Sequence, residues 1–229
     1  MPIEPAPSRW VFPPVEGADD DGPVVIGGDL DSGTLLAAYR RGLFPMPLPN
    51  TDVLGWWSPD PRGVLEPADL HVSRSLARAR RRYRTTVNQA FAEVMVGCAD
   101  PTRPHGWIDD RFVAAYTELH HLGWADSVEV WSGDNLVGGV YGVHIGGFFA
   151  GESMFHRARD ASKVALVTLV EALGRAGVDL FDVQWVTEHL VSLGATEIDR
   201  TTYLGRLAHV VGLPHKSLSR TGCAPMEDR

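Results

Sequence analysis

The sequence predicts an α+β fold, with a small N-terminal domain (residues 1–65) ahead of a larger domain (66–229) built on a mixed, largely antiparallel sheet flanked by helices. Three observations carry that expectation. Residues 128–155 read as three successive strands joined by the turn signals Ser132-Gly133-Asp134-Asn135 and Gly146-Gly147, a meander. Helical periodicity lies on both sides of the meander, and two further strand-like runs follow it, separated by helices. Near the N-terminus, residues 42–62 are crowded with proline and aromatic side chains, which marks a long loop.

In chain order, residues 1–23 form an irregular arm rich in Pro, Asp and Gly, anchored by Trp10, Val11 and Phe12. Residues 24–26 are a short strand ended by Gly27-Gly28. Asp31 or Ser32 then caps a short helix through Leu35, Leu36 and Tyr39, closed by Gly42. A proline-laden loop of this length is often functional, and Phe44, Trp56 and Trp57 are also suited to plug the small domain onto the larger one; both readings can hold. Residues 70–84 are the clearest amphipathic helix, with Val72, Leu76, Ala79 and Tyr83 on one face. A second helix is expected over 87–97, then a loop to Gly106. Asp109 or Asp110 caps a helix with Phe112, Tyr116 and Leu119 on one face, ending at Gly123. After the meander, Asp160 or Ser162 caps a helix apolar around most of its circumference and stopped by Gly177. A strand over 178–185, a short helix over 188–193, a strand near Ile198 and a helix over about 199–211 complete the domain, with a loose tail after Pro214.

The bulk composition, 44% hydrophobic and 22% charged, is that of an ordinary globular protein with a sizeable core. A formal net charge of -8 argues against general affinity for nucleic acid, yet a local basic patch is compatible with it, since screening makes placement matter more than the sum. The run from His71 to Arg84 contains no acidic residue, and Arg74, Arg78, Arg81 and Arg82 cluster opposite its apolar face. Solvated faces usually mix signs, so the run favours contact with a polyanion over decoration. All of the 21 basic residues except Lys163 and Lys216 are Arg, which offers forked planar donors. Cys98 and Cys223 lie far apart with no CxxC, as expected of reduced thiols. The N-terminus lacks a signal-peptide pattern and no apolar run approaches a membrane span, so a cytoplasmic protein without a membrane partner is expected. No P-loop, HExxH, GxSxG or zinc spacing occurs, and His120-His121 fall on different helical faces; neither metal nor cofactor is expected.

The candidate site rests on two apolar strands. The stretch 147–155, GFFAGESMF, carries Glu152; the stretch 178–185, VDLFDVQW, carries Asp182 and Gln184, two apart and so expected on one face. A carboxylate on an apolar strand needs a partner or a job. Phe148, Met154, Phe155 and Tyr141 are candidates to line an apolar pocket beside Ser153, although core packing is the default explanation of each.

These pieces stand in a recognisable order: GGDL (27–30), RGLFP (41–45), WWSPDPR (56–62), GWI (106–108), LVGGVYGV (136–143), GESMF (151–155), ASK (161–163), Asp182-x-Gln184 and SLGA (192–195). Together they resemble bacterial leucyl/phenylalanyl-tRNA–protein transferases over most of the chain. The resemblance implies a small N-terminal domain, a GNAT-like acyltransferase domain, and transfer of Leu, Phe or Met from aminoacyl-tRNA to proteins with an N-terminal Arg or Lys, which marks them for degradation. A monomer is expected. Two positions differ from the family's pattern: Met46 follows Phe44-Pro45 where Trp is usual, and Thr187 stands where Asn is common.

The donor in such a reaction is already an activated ester, so neither ATP nor metal is needed. Alignment can supply roughly 7–11 kcal/mol of the barrier. An N-terminal amine has a reference pKa of about 7.7–8.0, so a strong base is not required. On the resemblance, Gln184 would orient the attacking amine through its side-chain carbonyl and Asp182 would polarise or anchor it. Glu152 or Asp182 would draw in the acceptor's basic side chain, and a ribose hydroxyl or water would relay the proton. Trp107 would stack on the terminal adenine, Ser153 and Thr187 would touch substrate, and the arginine helix would hold acceptor-stem phosphates. Two other readings are an acyl-CoA acetyltransferase and a tRNA-binding module without catalysis. The nearest match to an acyl-CoA loop, Arg103-Pro104-His105-Gly106, lacks the final small residue and lies in the wrong place. A mere binding module leaves the carboxylates and amide beside an apolar pocket unexplained.

Overall fold

The computed structural model describes residues 1–102 and 106–218. Cys223, the end of the C-terminal tail, and the Arg103-Pro104-His105 part of the string compared with acyl-CoA loops lie outside the described residues.

Two sheets organise the chain. Strands β1 (Pro23–Ile26), β2 (Phe44–Pro47) and β3 (Leu54–Trp57) form a small antiparallel sheet in the order β1-β3-β2. The segment expected to be a loop therefore contains a hairpin. Its prolines are tolerated because β2 is an edge strand. The indole N–H groups of Trp57 and Trp56 lock it by donating to the carbonyls of Met46 (3.0 Å) and Gly27 (2.8 Å). Helix α1 (Ser32–Tyr39) follows β1 as expected and buries Leu35, Leu36, Ala38 and Tyr39.

The large sheet takes the order β10-β4-β9-β8-β7-β6-β5. Its members are β4 (Arg62–Val64), β5 (Arg84–Val87), β6 (Ala125–Ser132), β7 (Asn135–Ile145), β8 (Phe148–His156), β9 (Leu180–Gln184) and β10 (Thr196–Ile198). The expected meander is β6-β7-β8. Strands β8 and β9 pair in parallel because α5 (Ala161–Ala176) crosses over between them, whereas the other pairs are antiparallel. Helix α5 buries most of its circumference against one face of the sheet, together with α2 (Arg74–Arg80) and α6 (Glu188–Val191). Helices α1, α3 (Phe91–Cys98), α4 (Asp110–His121) and α7 (Arg200–Val210) fill the other face.

Two helices are shorter than their periodicity predicts. The helix expected over 70–84 is α2 alone, with a 3-10 turn at Pro67–Asp69 before it. Ser73 caps its start by accepting from the Leu76 amide at 3.2 Å. The β-branched residues Thr85, Thr86 and Val87 instead pair with β6. Val87 thus ends a strand rather than beginning a helix, and α3 starts only after Asn88 takes a left-handed turn at φ 56°. Asp160 stands at the N-cap of α5 in left-handed backbone and makes no side-chain cap. No helix among the described residues is long and apolar enough to cross a membrane.

Candidate active site

Strand β8 carries Glu152 on a bulge. Tyr141 pairs with Ser153 and Gly142 with Gly151, so Glu152 is the extra residue between them. The bulge changes the strand's phase. Phe148, Ala150 and Phe155 pack on the α3/α4 side, whereas Phe149 and Met154 pack on the α5 side. Glu152 turns toward α4, where its Oε2 accepts a hydrogen bond from the Tyr116 hydroxyl at 3.2 Å. The Tyr116 and Tyr39 hydroxyls in turn lie 2.5 Å apart. The other carboxylate oxygen, Oε1, is buried and has no hydrogen-bond partner among the described residues.

Strand β9 splits the two residues expected on one face. Asp182 is fully buried and its carboxylate is saturated. Oδ1 accepts from Arg62 Nε (2.9 Å) and from the Gln184 amide (2.9 Å); Oδ2 accepts from Arg62 Nη2 (2.7 Å) and the Tyr203 hydroxyl (2.9 Å). Gln184 ends the strand at φ 60°, a left-handed conformation uncommon outside glycine. Its backbone N–H is held by Asp182, and its buried side-chain Nε2 has no partner among the described residues. The chain beyond Gln184 needs the glycine opposite. A Cβ on Gly63 would sit 3.1 Å from the carbonyl carbon of Trp185 and 3.0 Å from Val186 Cγ2.

Glu152 and Gln184 meet at a cleft of about 320 Å³. Of the other residues singled out in the sequence, Trp107, Ser153, Met154 and Thr187 also line it. Trp107 stands edge-on to Phe112 (5.1 Å, 88°), and Thr187 caps α6 by accepting from the Leu190 amide at 3.3 Å. Phe148, Phe155 and Tyr141 are buried core residues outside the lining. Phe155 fills the space left by Gly97 and Gly139, and Tyr141 packs edge-on against Phe91 and Tyr116. Asp182 lies beneath the cleft rather than on it. Arg74, Arg78, Arg81 and Arg82 are exposed on and just after α2, and among the described residues none of them is in an ion pair; the neighbouring Arg80 is tied to Glu171 at 2.6 Å. A larger groove of about 830 Å³ lies under the N-terminal arm and contains none of the candidate residues; its Asp29 is engaged by Trp10 and Arg9.

Loss of solvent is the largest influence on the Glu152 carboxyl and pushes it up to about 8; the nearby Asp182 charge adds to this, while hydrogen bonds from Tyr39 and Tyr116 and the Arg62 cation oppose it. The residue keeps some surface at the cleft, although Oε1 itself is covered. Burial, with the Glu152 charge, holds Tyr39 and Tyr116 well above the ordinary phenol range, so both stay neutral. Arg62 remains a cation because Asp182 outweighs the burial that disfavours its charge. An unfolded glutamate titrates near about 4.3, so the folded chain holds an extra proton from there up to the folded value. Whatever stability Glu152 contributes is therefore full below its unfolded pKa and falls as pH rises through its folded one. Glu152→Gln should lose less melting temperature than the unsubstituted chain between about pH 6 and about pH 9; equal losses would mean that the carboxyl ionises without penalty.

Family models now bear on the same residues. A model described as "Leucyl/phenylalanyl-tRNA protein transferase" matches residues 64–208, and one for the N-terminal domain of that protein matches residues 28–60. The chain belongs to the leucyl/phenylalanyl-tRNA protein transferase family. A leucyl/phenylalanyl-tRNA--protein transferase from Anaeromyxobacter sp. (strain K) is 50% identical over 219 residues, 93% of this chain and 94% of that protein. One from Enterobacter sp. (strain 638) is 48% identical over 203 residues, 87% of this chain and 86% of that protein. Among solved structures, a GCN5-related N-acetyltransferase from Kribbella flavida aligns with a TM-score of 0.38 at 15% identity, over 72% of this chain and 60% of the other.

In this transferase-family chain the site includes residues to which the sequence alone gave no part in it. Arg62 is 1% exposed, reaches Gly42 O at 3.1 Å, and lies over the rings of Phe44 (4.9 Å) and Tyr203 (4.4 Å). The signal available for it was an arginine at the end of a run of buried aromatics in WWSPDPR. Tyr116 was assigned to an apolar helix face, yet a buried phenol needs a hydrogen-bond partner, and that need leads to Glu152. Phe44, Pro45 and Met46 form one wall of the cleft. Among the described residues no group of three or more His, Cys, Asp or Glu is arranged to hold a metal ion.

Proposed function

We infer that this chain transfers Leu or Phe from aminoacyl-tRNA to the N-terminal Arg or Lys of acceptor proteins, and that it also accepts Met. The observation that carries the reading is the facing of a buried carboxyl, Glu152, and an unpartnered amide, Gln184, across one mostly apolar cleft. In the reaction the neutral α-amine attacks the ester carbonyl carbon. The bond to the ribose oxygen breaks, and that oxygen leaves with the proton surrendered by the amine, directly or through water or the neighbouring hydroxyl. Gln184 aligns the amine with its carbonyl oxygen, while Nε2 is available to the ester oxygen that gains charge. Asp182 acts one step back by anchoring the backbone of Gln184. With Asp182 saturated by Arg62 and Tyr203, Glu152 is the better placed carboxyl for the acceptor's basic side chain. Arrival of that cation beside Oε1 returns Glu152 to its ionised form. The transferred side chain sits among Met154 and its apolar neighbours. Met adapts to different shapes, and one methylene is worth only about 1–3 kcal/mol in such a pocket, which suits joint tolerance of Leu, Phe and Met.

In this reading the small domain (1–65) supplies the Phe44–Met46 wall and the large domain (66–229) the reacting groups. The protein works as a cytoplasmic monomer without a cofactor, and acceptor proteins are marked for degradation. The exposed arginines at 74, 78, 81 and 82 hold acceptor-stem phosphates without reading sequence. The test combines labelled Phe-tRNA with an Arg-initiated peptide at rising salt, with acetyl-CoA replacing the tRNA in a parallel tube. Label should enter the peptide from tRNA alone, and KM for Phe-tRNA should rise steeply with salt. Replacing the four arginines with Ala should flatten that slope; acetyl transfer, or an unchanged slope, would refute the respective assignment.

A further inference from the structure

The mouth of the cleft carries a large apolar side chain that the roles above do not use. Trp185 follows the left-handed Gln184 directly and is 43% exposed. Its ring stands at 89° to that of Phe44 with centroids 5.1 Å apart, an edge contact that covers at most one face of the indole. The segment is well fixed, because Gly63 lets the backbone of Trp185 approach closely from the neighbouring strand. Trp185 lines the same cleft as Trp107 and Met46. Phe44 and Met46, two apart on β2, line the cleft together with Trp185.

We propose that Trp185 is a stacking wall for a nucleobase at the 3′ end of aminoacyl-tRNA, working with Trp107 where Met46 offers only a flexible thioether. The inference rests on the reading of this cleft as the aminoacyl-tRNA site. A nucleobase suits the position better than the acceptor's cationic side chain does. Among the described residues lining the cleft, Glu152 alone is acidic, and it draws a cation toward β8; Phe44, Pro45 and Met46, which line the cleft with Trp185, carry no charge. A rigid indole face also accepts any base without reading its edge, which suits an enzyme that accepts several tRNAs.

The test uses Trp185→Ala, Trp185→Phe and Met46→Ala in the full chain. Base–aromatic contacts are worth about 1–3 kcal/mol, so Trp185→Ala should raise KM for Phe-tRNA roughly 5- to 150-fold while KM for an Arg-initiated peptide stays put. Trp185→Phe should recover most of the loss, and Met46→Ala should change donor KM less than Trp185→Ala does. A donor KM that does not move, or a rise confined to the peptide KM as expected of a cation–π contact, overturns the proposal. Calorimetric binding of a non-reactive 3′-amide of phenylalanyl-adenosine decides the point without transfer. Weaker binding to Trp185→Ala supports stacking; equal binding, or none to the unsubstituted chain, refutes it. Absence of peptide labelling by the unsubstituted chain would instead count against the transferase reading, and the calorimetry would still decide on Trp185.

Discussion

Replacing Arg62 with Met should destabilise the fold by about 3–5 kcal/mol, because it leaves the Asp182 carboxylate in the interior without its cation. Few groups can take over. Arg62 supplies two of the four hydrogen bonds to that carboxylate, and the Tyr203 hydroxyl and Gln184 amide are already in use. The loss extends beyond the pair, since Arg62 also holds Gly42 O and lies over Phe44, and so ties the small sheet to β9. Urea denaturation measures it as a fall in midpoint at unchanged slope. Adding Asp182→Asn to Arg62→Met removes the stranded charge and should recover part of the loss, a coupling that only interacting residues display. A single-variant loss below about 1 kcal/mol, the worth of an exposed pair, would contradict the burial on which this rests.

Gln184→Ala should lower kcat for transfer at saturating substrates by about 10²–10³-fold, the effect of deleting one donor aimed at developing charge. Substrate affinity should change less, because the cleft's apolar walls and the arginines on α2 are untouched. The side chain is 7% exposed and its Nε2 lacks a partner, so truncation removes no bond within the fold, and the melting temperature should hold within a few degrees. Single-turnover rates with preformed complex separate the chemical step from binding. A rate within threefold of the unsubstituted chain would mean that alignment comes from elsewhere in the cleft.

The sequence disclosed elements whose signals are local and periodic. The apolar faces of α4 and α5, the alternation of β6, and the Gly133 and Gly146 turns need only neighbours in the chain to be recognised. It failed where local preference was overruled by a distant partner. The proline-rich hairpin is locked by Trp56 and Trp57 reaching back to Gly27 and Met46. The end of the arginine helix is drawn into β5 by pairing with β6. Among the site residues, Glu152 and Gln184 could be picked out because polar groups on apolar strands call for a reason.

What the residues determined unaided is the family, the order of strands β6 to β10 in the chain, and the presence of a carboxyl and an amide near one another. The folded arrangement alone decided which carboxyl is available. Asp182 and Arg62 are 120 positions apart, and only their meeting across β4 and β9 neutralises one acid while the bulge on β8 leaves the other with an unpaired oxygen in the cleft. Period-two alternation puts Asp182 and Gln184 on one side of a regular strand. A register slip at Val183, where Val64 pairs with Asp182 and Gly63 with Gln184, and the left-handed Gln184 separate them, and both depend on contacts that a linear chain does not contain.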